Sequence, residues 1–157
     1  MNIKLIFVGK TEEKYLQEGI EIYEKRLKNY INFQTIVIPS LKDTKNLSPQ
    51  TVKEKEGELI LKQVTKFDKI ILFDEKGMEF TSMDYSAYLQ KHMNAGVKNL
   101  CFVVGGAFGF SDEVYKRADQ KVALSKMTFS HQMIRLLIVE QIYRAFTILK
   151  NEPYHNQ

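Results

Sequence analysis

The chain has one cysteine and three histidines in 157 residues. A lone Cys101, set in the apolar run NLCFVVGG, excludes an internal disulfide and reads as a small buried hydrophobe in a strand. Histidines 92, 131 and 155 lie far apart, so no metal site is expected. Long apolar runs are also missing. The first, Leu5 to Val8, covers only four residues before Gly9 and Lys10, too short for a signal-peptide core. Arg135, Glu140 and Arg144 interrupt the best candidate for a membrane span. A cytoplasmic protein is the expectation. A net charge of +4 is too small to point firmly at a polyanionic partner.

What is present is ordinary for a globular protein: 44% hydrophobic and 27% charged residues. Strand-like runs at 3–8, 33–38, 69–73, 99–104 and 121–124 alternate with helical patterns. The helices are expected at 12–28, 51–64, 83–93 and 111–117, the last capped by Ser111. Leu41 to Gln50 reads as a polar loop. This alternation predicts an α/β fold with a mostly parallel sheet flanked by helices. With no repeat and no linker-like stretch, residues 1–157 read as a single domain. In the first helix Tyr15, Ile22, Leu27 and Tyr30 are placed toward the inner side. His92, next to Lys91, reads as solvent-facing.

The last third carries most information. A long helix is expected to begin at Ser130-His131 and is too apolar for a surface helix. Ile134, Leu137, Ile138, Gln141, Ala145 and Ile148 form one stripe. Met133, Leu136, Val139, Ile142, Tyr143 and Phe146 cover much of the remainder. A helix apolar on more than one side needs more than one partner, and charges among such residues must be paired or used.

The last three strands each run into a distinctive loop: Phe73-Asp74-Glu75-Lys76-Gly77, then Gly105-Gly106-Ala107-Phe108-Gly109, then Leu124 to Ser130. Ligands of open parallel sheets bind outside the carboxyl ends of the strands, where such loops converge. Glycines there either let a ligand approach the backbone or simply make a tight turn. The order G-G-x-x-G is not the dinucleotide fingerprint, which comes early in the chain with an acidic residue about 20 positions on. Asp74 suits a ribose or an amine, or the cap of the next turn. Ser125, Lys126, Thr128 and Ser130 surround Met127 and Phe129, a mixture that suits an aromatic base with a polar tail. His131, at the helix start, suits either a hydrogen bond to such a ligand or a purely structural place.

SKMTFSHQMIRLLIVEQIYRAF with NEPYH, preceded by FVVGGAFG, EKEGELIL and IYEKRL, closely resembles the bacterial large-subunit rRNA pseudouridine N3-methyltransferases. These are small members of the SPOUT superfamily of trefoil-knotted methyltransferases, and the resemblance spans the whole chain. It implies a deep C-terminal trefoil knot, which sequence patterns alone argue against because knots are rare. It implies S-adenosyl-L-methionine in the knot, held by Phe73, Asp74, Gly105, Gly106 and the run Leu124, Ser125, Lys126, Met127, Thr128 and Phe129. It further implies a homodimer in which the long helix, Val139 included, lies between subunits. The implied substrate is 23S rRNA in the helix 69 region, within the ribosome or large subunit. Arg135, Arg144, Tyr154 and His155 occupy the family's polar positions for that substrate, with no membrane and no metal involved. Arg135 and Arg144 would otherwise be ion-pair partners of Glu140, and the tail a frayed end. Ser130 stands where many members carry proline, and as a good cap it should let the helix start normally.

Methyl transfer requires nucleophile and methyl group aligned about 3–3.5 Å apart. An imide nitrogen must first lose its proton, and His155, His131 or a cation such as Arg144 are the candidates to help. Two alternatives come from other classes: a related knotted methyltransferase acting on tRNA, and a non-catalytic nucleotide-binding, ribosome-associated factor.

Overall fold

Five short apolar runs, each alternating its side chains between two faces, assemble into one fully parallel sheet in the order β2-β1-β4-β3-β5. The strands are β1 (Asn2–Val8), β2 (Asn32–Ile38), β3 (Lys69–Glu79), β4 (Asn99–Val104) and β5 (Gln120–Ala123). The computed structural model describes residues 1–156. Helices α1 (Lys14–Leu27), α3 (Ser82–Asn94) and α5 (Met133–Leu149) cover one face; α2 (Pro49–Lys62) and α4 (Asp112–Arg117) cover the other. Ile3, Leu5, Phe7, Phe73, Phe102 and Val104 face the first group, and Ile6, Val8, Leu72, Cys101 and Val103 the second. Burial on both faces explains why these strands read as nearly continuous apolar runs.

Register differs most at the edge that builds the site. β3 pairs with β5 up to Phe73, and pairing resumes at Met78 opposite the same Val122. The residues between, 74–77, bulge out of the sheet. Gly77 closes the bulge because any Cβ there would lie 2.5 Å from the Val122 nitrogen.

Helix starts follow their caps. α2 begins at Pro49 because Ser48 accepts from the Thr51 N–H and proline needs no donor there. α5 begins at Met133, three residues later than expected. Ser130 still does a cap's work, its hydroxyl accepting from the Met133 N–H at 3.0 Å.

The structure corrects several positions. Tyr15 and Ile22 are 59% and 50% exposed; the inner side of α1 belongs to Leu16, Ile20 and Leu27. Tyr15 and Ile22 lie on the flank of α1 that also holds Gly19, on which Leu136 of α5 rests so closely that a Cβ would sit 2.9 Å from it. Val139 is fully buried in its own chain rather than offered to a second subunit. His92 is buried against the edge of the Tyr88 ring, not solvated, with ring centroids 4.7 Å apart. Burial, helped by Lys69, holds its imidazole below the usual histidine range.

Candidate active site

The carboxyl ends of β3, β4 and β5 and the start of α5 enclose a cleft of about 380 Å³. The 74–77 bulge after β3, the glycine loop after β4 and residues 124–129 after β5 each supply part of its wall, with β3 lying between the other two strands. Phe73, Asp74, Gly105, Gly106, Leu124, Ser125, Met127, Thr128 and Phe129 all line it, with His131 at the mouth. Lys126 does not: it is exposed and lies outside the lining. It occupies the tip of a turn in which the Ser125 hydroxyl accepts from the Met127 N–H at 3.0 Å.

The glycines are required by close approach. A Cβ at Gly105 would lie 3.2 Å from the Phe110 ring, and one at Gly106 would meet both Glu56 carboxylate oxygens at 2.8–2.9 Å. Gly109, at φ +83°, donates to the Gly106 carbonyl at 3.2 Å and closes a tight turn with Ala107 and Phe108 at its tip. Bare backbone at the floor lets a flat ligand approach closely.

Asp74 has a partner on each oxygen and keeps further acceptor capacity: one oxygen accepts from the Lys76 N–H at 2.8 Å and the other from the Tyr115 hydroxyl. Burial, with Asp74 beside it, pushes the Tyr115 phenol above its ordinary range. Tyr115 escaped the sequence reading. Its signal was position, one turn into the helix that leaves the glycine loop. Glu56 was also missed, although its motif EKEGELIL was noticed. Its Oε1 is buried without a hydrogen-bond partner, and burial raises its carboxyl.

The other polar residues of the sequence reading divide into two places. Arg135 is fully buried and out of a substrate's reach. It donates to the carbonyls of Val8 (2.7 Å), Gly9 (2.8 Å) and His131 (3.0 Å) and to Thr11, above the Phe7 ring. Gln132 adds a second clasp, donating to the Lys10 carbonyl and accepting from the Glu12 N–H. Together they fasten the start of α5 to the end of β1.

Arg144, Tyr154 and His155 do come together, at the far end of α5. Arg144 donates to Glu140 at 2.6 and 3.1 Å and lies 3.1 Å from the His155 Nδ1. Tyr154 donates to Glu140 at 2.9 Å, packs edge-on against Tyr143 and lies under the Arg144 guanidinium. The tail is therefore docked, not frayed. Asn151, at φ +55°, turns the chain, and the Glu152 N–H bonds back to the Thr147 carbonyl. Ten residues of helix separate Arg144 from Ile134 in the cleft wall, a rise of about 15 Å. Within one chain this cluster does not touch the cleft.

An open parallel sheet with a glycine-lined cleft at its carboxyl ends defines the class of α/β proteins that bind a small ligand at that edge. The comparisons are more specific. Residues 1–155 match the model of the family described as "Predicted SPOUT methyltransferase", and the chain belongs to that family. A protein of Christiangramia forsetii named "Ribosomal RNA large subunit methyltransferase H" is 59% identical over 157 residues, covering 100% of both chains. Its namesakes in Flavobacterium psychrophilum and Parabacteroides distasonis are 58% and 59% identical over the same full length. Methyl transfer from a methyl donor follows from membership. Among the described residues no cluster of three or more His, Cys, Asp or Glu forms a metal site, and no helix is long and apolar enough to cross a membrane.

Proposed function

We propose that the protein transfers a methyl group from S-adenosyl-L-methionine to N3 of a pseudouridine in 23S rRNA, in the helix 69 region, as one domain acting in a cytoplasmic homodimer. The observation that carries this reading is the glycine-floored cleft in a chain that matches large-subunit rRNA methyltransferases end to end. The residues present fit the cofactor. Gly105 and Gly106 leave the floor bare for a flat adenine, Phe73, Leu124 and Phe129 supply apolar walls, and Asp74 offers an anionic edge to a cationic ligand. When bound, the cofactor supplies a methyl group on sulfonium, ready for in-line displacement. We also infer that residues 124–132, returning from β5 at one sheet edge to β1, form the threaded segment of the trefoil knot.

The protein's own share is orientation and charge. Arg144 stays protonated because Glu140 is bonded to it, which raises its already high pKa. A fixed cation beside the imide favours the anion that attacks, so electrostatic stabilisation does more than a dedicated base. The separation of about 15 Å along α5 supports a site completed across the dimer, with Arg144, Tyr154 and His155 of one copy serving the cleft of the other. Tyr15 and Ile22, flanking Leu136 on the outer surface, are the apolar ground for that pairing.

The test is transfer of labelled methyl to ribosomes, large subunits and tRNA, with mapping of the modified base. Label at one pseudouridine of large-subunit RNA is expected. Label on tRNA, or donor binding without transfer, would replace the reading with one of its rivals. Deleting residues 153–157 should leave donor binding intact and reduce transfer by about two orders of magnitude. Mixing that protein with a Gly105→Val chain should restore activity in the heterodimer. Restoration would fail if the tail served its own cleft.

A further inference from the structure

The rim of the cleft has a feature that donor binding leaves unexplained. Phe108 stands at the tip of the Gly106–Gly109 turn, 53% exposed yet part of the cleft wall. Met127 is 76% exposed. Single exposed apolar side chains are common, but these two line the same cleft, one on the loop after β4 and the other on the loop after β5. Beside Met127, Lys126 points away from the cleft into solvent.

We propose that Phe108 is the platform on which the target nucleobase stacks, and that Lys126 contacts a phosphate flanking that base. The proposal rests on the RNA-methylation reading and names residues for it. A base inside an RNA stack cannot bring its N3 edge to a donor held in a cleft; it must be splayed out, at the cost of its stacking. An aromatic ring at the mouth offsets that loss, since base–aromatic stacking tolerates any base. Because Phe108 is carried by a closed turn, little freedom is lost when a base settles on it. Charge divides the rim consistently. The donor is cationic and carries no phosphate, so it suits the bulge with Asp74 and Glu75, where Lys76 is the one basic residue. An exposed lysine on the neighbouring 124–129 loop, outside the lining, suits a polyanion.

The experiment uses the full-length protein, labelled donor and ribosomal substrate. Phe108→Ala and Phe108→Leu should raise KM for the RNA substrate about tenfold or more. Phe108→Tyr should stay near the parent, and donor affinity by calorimetry should hold within about twofold in all three. Lys126→Ala should lower the slope of log affinity for RNA against log salt by about 1. Leucine serving as well as tyrosine, weaker donor binding with KM unchanged, loss of the dimer, or an unchanged salt slope would each overturn the assignment. If the parent protein itself transfers no methyl to ribosomal RNA, the underlying reading falls first and this inference with it. An active parent with an indifferent Phe108→Ala rejects the inference alone.

Discussion

Arg135 and Arg144 lie on the same helix, among the same kinds of apolar neighbours, yet their surroundings have little in common. Arg135 is enclosed and gives its donors to backbone carbonyls and one threonine; no carboxylate pairs with it. Arg144 is partly open and gives its donors to side chains that are themselves ionisable. Backbone carbonyls do not move or titrate, so an arginine bound to them is a fastener. A cation among a carboxylate, a phenol and an imidazole can be re-paired by an incoming anion. The kind of partner, more than burial, separates a charge committed to the backbone from one able to change partners.

The largest effect that tests this contrast is on folding. Arg135→Met should cost about 3–5 kcal/mol in denaturant unfolding, because several buried carbonyls lose their donor at once. Arg144→Met should cost under about 1 kcal/mol, as a partly exposed pair does, while methyl transfer falls about a hundredfold. Equal losses of stability in the two variants would erase the distinction.

A half-buried carboxylate with one oxygen enclosed and unpartnered extends the series. Gly106→Ala should cost about 1–3 kcal/mol, because its methyl would press on the Glu56 carboxylate. Adding Glu56→Ala should recover most of that loss in a double-mutant cycle. Full additivity would mean that the strain lies elsewhere in the loop.

Glu56→Met should stabilise the protein by about 1 kcal/mol at neutral pH, since it removes a half-buried carboxylate with one oxygen enclosed and unpartnered. The sign of its pH dependence is fixed. Burial raises the carboxyl above its ordinary 4.5, so the folded chain holds that proton more tightly than the unfolded one. The penalty is present above the folded pKa and disappears below about 4.5. The gain from Glu56→Met should therefore shrink as pH falls from 7 toward 4; a gain that grows would show a paired carboxylate. The smallest effect concerns Cys101, whose thiol burial pushes up to about 12. Alkylating reagents at pH 8 should label it only after unfolding, and rapid labelling of the folded protein would contradict its enclosure.

The strands and converging loops were legible because doubly buried strands are written as apolar runs and loops at their ends as glycine and polar residues. Residues 74–77 show the limit. The sequence marks a loop, but only pairing on both sides of it, opposite Val122, reveals a bulge within one strand. Tyr15 and Ile22 were misplaced because α1 carries apolar residues on two faces, and periodicity alone does not say which one meets the sheet. Arg135 and Arg144 look alike in sequence because the carbonyls that hold Arg135 belong to residues 127 and 126 positions earlier. Glu56 stayed silent for a related reason: the space it fills is created by a glycine fifty residues downstream.

The clasp between Arg135 and the end of β1 also bears on how the protein is made. The first strand leaves the ribosome early, but the carbonyls of Val8 and Gly9 must wait for an arginine translated more than a hundred residues later. Contacts of such long sequence separation form late and slowly. Until then the start of α5 has no anchor, and the cleft lacks the wall supplied by His131 and Ile134. A nascent chain that already holds every strand is still without a site, and methyl-transfer competence arrives only with the final helix.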